Sequence, residues 1–294
     1  NRGPFLSMNP FSSRCCQHNH AQGWPYFTEH LVLATPDNGV ATAIYAACKA
    51  TVKVGDGKEI TLHEETNYPF EEAIAFTVST DEKVAFPFYL RIPSWTQKAE
   101  VRVNGKKVSV TPVAGKYLCI NREWANGDRV ELTLPMSLSM RTWQVNKNSV
   151  SVDYGPLTLS LKIAEKYVEK DSRETAIGDS KWQKGADSKK WPTTEIYPDS
   201  PWNYSLVLDK KEPLKNFKVI RKSWPADNYP FTVASVSLEV KAIGRPVPEW
   251  KIDETGLCGV LPEEDAVKGD KEEITLIPMG AARLRISAFP NTKE

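Results

Sequence analysis

The sequence predicts a mainly β protein built from two antiparallel β-sandwich domains. Three observations carry that expectation. Short runs of β-branched and aromatic residues recur along most of the 294 residues. Asp56-Gly57, Asn104-Gly105 and Asn126-Gly127 separate such runs, and these dipeptides supply the positive φ angles that tight hairpin turns require. A stretch over residues 165–199, dense in Lys, Asp, Ser and Gly, interrupts the pattern and divides 37–164 from 165–294.

In chain order, residues 1–13 carry the Gly-Pro and Asn-Pro punctuation of an irregular loop. Trp24-Pro25 marks a helix start, with proline in the first turn. Phe27, His30, Leu31 and Ala34 then stand at helical spacing, so a helix is expected over 26–35. From Gly39 the period changes to that of strands, expected over 40–45, 51–54, 60–64, 73–79, 85–92, 99–103, 107–110, 117–121 and 129–135. Short strands at this spacing, without a helical insert, indicate an antiparallel sandwich. Residues 149–152 and 157–163 are expected to complete it. Beyond the 165–199 connection, strands over 202–208, 217–221, 231–243 and 272–278 make a second, smaller sandwich, with 284–289 as a last strand.

The densest chemistry lies in Arg14-Cys15-Cys16-Gln17-His18-Asn19-His20. Three readings of it are open. Thiolate and imidazole are preferred zinc ligands, yet adjacent cysteines supply at most two of the four that zinc takes, and Cys48, Cys119 and Cys258 are scattered singly. A thiolate made reactive by a nearby cation is the second reading. The third is a buried thiol pair acting as a small hydrophobe.

A resemblance enters at these residues. The Cys15-Cys16-x-x-Asn19 run resembles glycoside hydrolase family 127, the β-L-arabinofuranosidase-type enzymes and their bacterial relatives. So do Glu65-Thr66-Asn67-Tyr68-Pro69-Phe70, Leu90-Arg91-Ile92-Pro93-Ser94-Trp95, Val103-Asn104-Gly105, Asp153-Tyr154-Gly155-Pro156-Leu157 and Ser200-Pro201-Trp202-Asn203-Tyr204. The likeness closes with Leu276-Ile277-Pro278-Met279-Gly280. It implies the C-terminal portion of a retaining glycosidase, with residues 1–36 as the last loop and helix of a missing α/α barrel. In such enzymes the first cysteine is the nucleophile, and both bind zinc with an upstream glutamate and cysteine. Cys15 would then be nucleophile and zinc ligand, and Cys16 a ligand; His18 and His20 are candidates for substrate contact because they lie beside the cysteine pair, where one would face a sugar or the metal. Gln17 and His18 stand where characterised members have two prolines. The acid/base would come from the upstream barrel, so the fragment alone would be inactive and bind no zinc tightly. An oligosaccharide or glycan is the implied partner, and a periplasmic or secreted location follows from the family, with the cytoplasm as the alternative. The rival reading is a non-catalytic carbohydrate-binding or structural module.

Composition bounds what remains. A net charge of +1 gives no support for nucleic-acid or membrane-surface binding. No stretch reaches the roughly 18 apolar residues of a membrane span. Five cysteines at irregular spacing argue against a disulfide framework. Nine tryptophans suit sandwich cores or sugar-stacking surfaces. The paired carboxylates Glu64-Glu65 and Glu71-Glu72 flank expected strands, where neighbours point to opposite faces, and read as solvated edges. His63 reads as a strand residue and Arg91 with Trp95 as a corner device.

Overall fold

A computed structural model describes residues 6–8, 14–171, 189–190, 192–253 and 256–294. The chain divides into two compact units, His18–Ser137 and a second made of Asn1–Gln17 with Leu138–Glu294. In chain order the first elements are β1 (Leu6–Met8), α1 (Arg14–Glu29), β2 (Val32–Ala34), β3 (Val40–Thr42), β4 (Cys48–Val54) and β5 (Lys58–Thr66). They are followed by β6 (Ala73–Ser79), β7 (Val84–Arg91), β8 (Glu100–Val103), β9 (Lys106–Lys107), β10 (Tyr117–Trp124) and β11 (Arg129–Thr133).

The unit His18–Ser137 holds a four-stranded sheet, β10-β7-β3-β2, and a six-stranded sheet, β4-β5-β6-β11-β8-β9. Alternation along each strand selects the buried face. β6 buries Ile74, Phe76 and Val78, and β7 buries Val84, Phe86, Phe88 and Leu90. These faces share one core, in which Trp124 lies 5.7 Å from Phe86 and 5.9 Å from Phe88 between ring centres. Its indole N–H donates to the Phe86 carbonyl at 3.0 Å, so the one polar atom of this fully buried ring is satisfied. Burying each such side chain stabilises the fold by roughly 1.5–3 kcal/mol.

The expected turns form where the sequence places them. Asn104 and Gly105, both at positive φ (49° and 76°), join β8 to β9. Asn104 also holds the next turn: its carboxamide donates to Asp128 Oδ1 at 2.7 Å and accepts from Arg129 N at 2.8 Å.

The helix departs from expectation at both ends. It runs from Arg14 and keeps Pro25 in its interior. The residues before Trp24 are polar and show no apolar period, which hid the true start. Its end comes at Glu29 rather than in the 30s. Residues 32–34 pair with 40–42 instead, through a turn at Asp37-Asn38-Gly39, so strand pairing overrides helical spacing.

The second unit contributes β12 (Leu138–Trp143), β13 (Ser149–Tyr154), β14 (Leu157–Leu161), β15 (Glu165–Lys170), β16 (Thr193–Pro198), β17 (Tyr204–Leu208), β18 (Lys218–Arg221), β19 (Leu238–Pro246), β20 (Glu272–Pro278) and β21 (Asn291–Lys293). One sheet runs β12-β13-β14-β20-β19-β17-β21, with β18 also on β19, and a smaller one runs β1-β16-β15. Three corrections follow. β13 and β14, expected to close the first sandwich, pair into this sheet through β20. The 165–199 connection contains the paired strands β15 and β16, although 172–188 lie outside the described residues. Residues 284–289 are not a regular strand; buried Ser160 and Ser151 donate to the carbonyls of Ile286 and Ser287 at 3.1 and 2.6 Å. The segment also meets the sheet through an isolated antiparallel bridge between Val150 and Phe289 and through Leu161 N donating to the Ile286 carbonyl at 2.8 Å. Strands β13 and β17 are buried at every position, so this sheet is covered on both faces there.

Candidate functional site

Cys15, Cys16, His18 and His20 all fall on α1, and their side chains lie outside the described residues. Two cysteines are half of a zinc donor set at most. Among the described residues, no group of three or more His, Cys, Asp or Glu is placed to hold a metal ion. The described part of α1, Asn19 and residues 21–29, is exposed throughout, with Trp24 at 58 % and Tyr26 at 66 %.

Two of the quoted motifs converge in the sandwich of His18–Ser137. Tyr45 packs edge-on against Tyr68 at 5.7 Å between ring centres, and the Arg91 guanidinium lies over the Tyr45 ring at 5.8 Å. Tyr45 donates its hydroxyl to the Arg91 carbonyl at 2.5 Å, while Arg91 Nε donates to the Ala43 carbonyl at 2.6 Å. Arg91 therefore ties the end of β7 to the 43–45 segment, the corner role expected of it.

Beside this cluster sits the residue that sequence reasoning misplaced. Glu64 is no solvated edge: it points into the core and is 1 % exposed, whereas Glu65 is exposed and pairs with Arg129 at 3.2 Å. The Cys48 thiol approaches Glu64 Oε2 at 3.9 Å, and Glu64 Oε1 has no hydrogen-bond partner. Burial pushes the Glu64 carboxyl up to about 8, against the lowering effect of the Ala46 backbone N–H. Burial and the neighbouring carboxyl raise Cys48 to about 11, so this thiol is held in its neutral, unreactive form. The strand alternation foretold opposite faces for the pair; what it lacked was which face was inside. Glu72 is likewise engaged, accepting from Met136 N at 3.0 Å. His63 faces away from the core on β5, partly exposed.

Two grooves mark the outer faces of this sandwich. One, of about 500 Å³, crosses β5, β6, β11 and β8 and is lined by Glu65, Arg129, Glu131, Arg102 and Glu100 among others. Part of its charge is paired, as in Arg129 with Glu65 and Glu131. The other, of about 540 Å³, is lined by Thr35, Pro36, Asp37, Ala41, Tyr89 and Tyr117.

The tryptophans divide unevenly. Trp124, Trp202 and Trp250 are buried, the last two edge-on at 5.2 Å, while Trp143 and Trp24 are exposed. Trp182 and Trp191 lie outside the described residues.

Comparison with known proteins matches residues 39–136 to the GH127 middle domain of β-L-arabinofuranosidases. Among solved structures, a GH127 β-L-arabinofuranosidase from Geobacillus stearothermophilus T6 shares 21 % identity over 99 % of this chain and 39 % of its own, with a TM-score of 0.65. A glycoside hydrolase shares 22 % over 96 % of this chain and 40 % of its own, at 0.63. A GH127 β-arabinofuranosidase shares 23 % over 98 % of this chain and 41 % of its own, also at 0.63. This chain thus spans about two fifths of those proteins' length, and at these identities the likeness establishes the shared fold. No curated protein sequence matches it.

Proposed function

We propose that this chain, with its GH127-type middle domain, is the β-sandwich portion of a longer glycoside hydrolase acting on arabinose-containing glycans. The observation that carries this is the match over residues 39–136, together with motifs in the same order outside that span. In the longer protein, Cys15 is the nucleophile. Its thiolate forms a bond to the anomeric carbon as the glycosidic C–O bond breaks, and the departing oxygen takes a proton from an acid that these residues do not provide. Water then releases the sugar with net retention, as expected of a double displacement. Cys15 and Cys16 supply two donors toward zinc, the remainder coming from other residues of the longer protein. When bound, zinc supplies positive charge that keeps a thiol ionised. His18 and His20 are assigned to the sugar side of the same site. A periplasmic or secreted location fits a glycan substrate.

The 294 residues alone are expected to be inactive, since one cysteine pair gives neither an acid nor a complete donor set. A second reading, a non-catalytic module, is supported in its structural form by the burial of Trp124, Trp202 and Trp250, which leaves no tryptophan platform among these three.

The test compares this chain with the longer protein for zinc content and turnover of an aryl β-L-arabinofuranoside. Turnover by the longer protein, abolished by Cys15→Ala, with no turnover by the chain, supports the reading. A longer protein without turnover, or one untouched by Cys15→Ala, removes it.

A further inference from the structure

The groove beside β7 is built by local sequence. Gly39 sits where an added Cβ would come within 2.2 Å of the Pro87 carbonyl oxygen, so only glycine lets the 35–39 turn lie against β7. The turn is closed by Asn38 N donating to the Thr35 carbonyl at 3.1 Å and Gly39 N donating to Thr35 Oγ1 at 3.0 Å. Asp37 is thereby carried to Tyr89, whose hydroxyl donates to Oδ2 at 2.6 Å, while the Thr35 hydroxyl donates to Oδ1. These bonds hold the Asp37 carboxyl below its ordinary range, so it stays an ionised acceptor. Asp37 itself is exposed, so its carboxylate can be reached from solvent.

Across the sheet, Tyr117 pairs with Arg91 and Cys119 with Tyr89, which makes Tyr117 and Tyr89 diagonal neighbours on one face. Tyr117 is 49 % exposed. The result is a shallow groove with two phenol rings, one fixed carboxylate and, among the described residues, no cation in its lining. The fixed negative charge of Asp37 disfavours an anionic ligand there. A neutral ring with apolar C–H faces and donor hydroxyls fits both features: the faces stack on the phenols, the hydroxyls reach Asp37.

The geometry points to this groove as a glycan-binding subsite outside the cysteine-bearing helix, in which Tyr117 and Tyr89 stack a sugar ring and Asp37 accepts its hydroxyls. It rests on the glycan reading above and deepens it by naming a place on the sandwich where the chain holds.

The experiment is saturation-transfer NMR and a dissociation constant for a linear arabino-oligosaccharide with the 294-residue chain. Millimolar or tighter binding is expected, weakened at least tenfold by Tyr117→Ala and severalfold by Asp37→Asn, with the melting temperature of the exposed Tyr117→Ala variant unchanged. Tyr89→Phe, which keeps the ring and drops the bond to Asp37, should fall between wild type and Tyr117→Ala. No transfer at ten-millimolar sugar, or equal binding by a Tyr89→Ala/Tyr117→Ala double variant that still melts cooperatively, overturns the proposal. Concentration-dependent dimerisation abolished by Tyr117→Ala overturns it too, in favour of a second copy as occupant. Turnover of the aryl arabinofuranoside by the longer protein is scored separately. Turnover without groove binding removes this subsite alone, and groove binding without turnover removes the hydrolase reading alone.

Discussion

Glu64 shows how much one buried carboxyl can weigh. Its ordinary value of 4.5 rises to about 8 because the ionised form loses its water in the core. A carboxyl with a raised folded value favours folding while it keeps its proton. Stability from this group is therefore full below about pH 4.5 and is lost as pH climbs through about 8. Over that window the slope is at most ~1.4 kcal/mol per pH unit. Glu64→Gln, neutral at every pH and of similar volume, should melt alongside wild type at pH 4.5 and well above it at pH 8.5. Thermal melts at the two pH values decide the matter; parallel profiles for the two proteins would show that Glu64 keeps its charge in the fold.

Elements are where sequence and structure part company most informatively. The hairpin at Asn104-Gly105 was legible because only a few residues accept positive φ at both turn positions, and β6 was legible to its ends because its apolar positions alternate strictly. Strands β15 and β12 were not, since each is largely exposed and presents no continuous buried face to the pattern. The aromatic groove was hidden for another reason: Asp37, Tyr89 and Tyr117 are far apart in sequence, and only the β3–β7 and β7–β10 registers bring their strands together. Of the predicted site residues, all four share one helix, but no sequence pattern could supply their missing partners. Two outcomes belong at this scale. Gly39→Ala forces the turn off Pro87 and should cost about 1–3 kcal/mol, the usual range for overpacking, read as a lower melting temperature. Helix α1 has 16 residues, contains Gly23 and Pro25, and leaves residues 21–29 exposed. Isolated helices of about this length are marginal in water, so the amides of 21–29 should exchange far faster than those of β7. Slow exchange there would mean that something covers the helix in solution.

For the whole molecule, the buried core of the His18–Ser137 unit is drawn from residues 40–134, with Val32 packed against it. A piece spanning 30–137 should accordingly fold by itself and melt in one cooperative step; a broad, non-cooperative transition would show that it borrows stability from the other unit. That other unit is discontinuous in sequence, and its consequence is one of timing. On the ribosome, everything the first sandwich needs has been made once Ser137 emerges. Strand β1, by contrast, waits for Glu195 and its neighbours, its partners across the small sheet. Throughout that interval the nascent chain carries a folded sandwich while β1, already made, has no partner strand. Translation rate over residues 138–195 and chaperone capture of β1, rather than of the sandwich, should set the yield of correctly assembled protein.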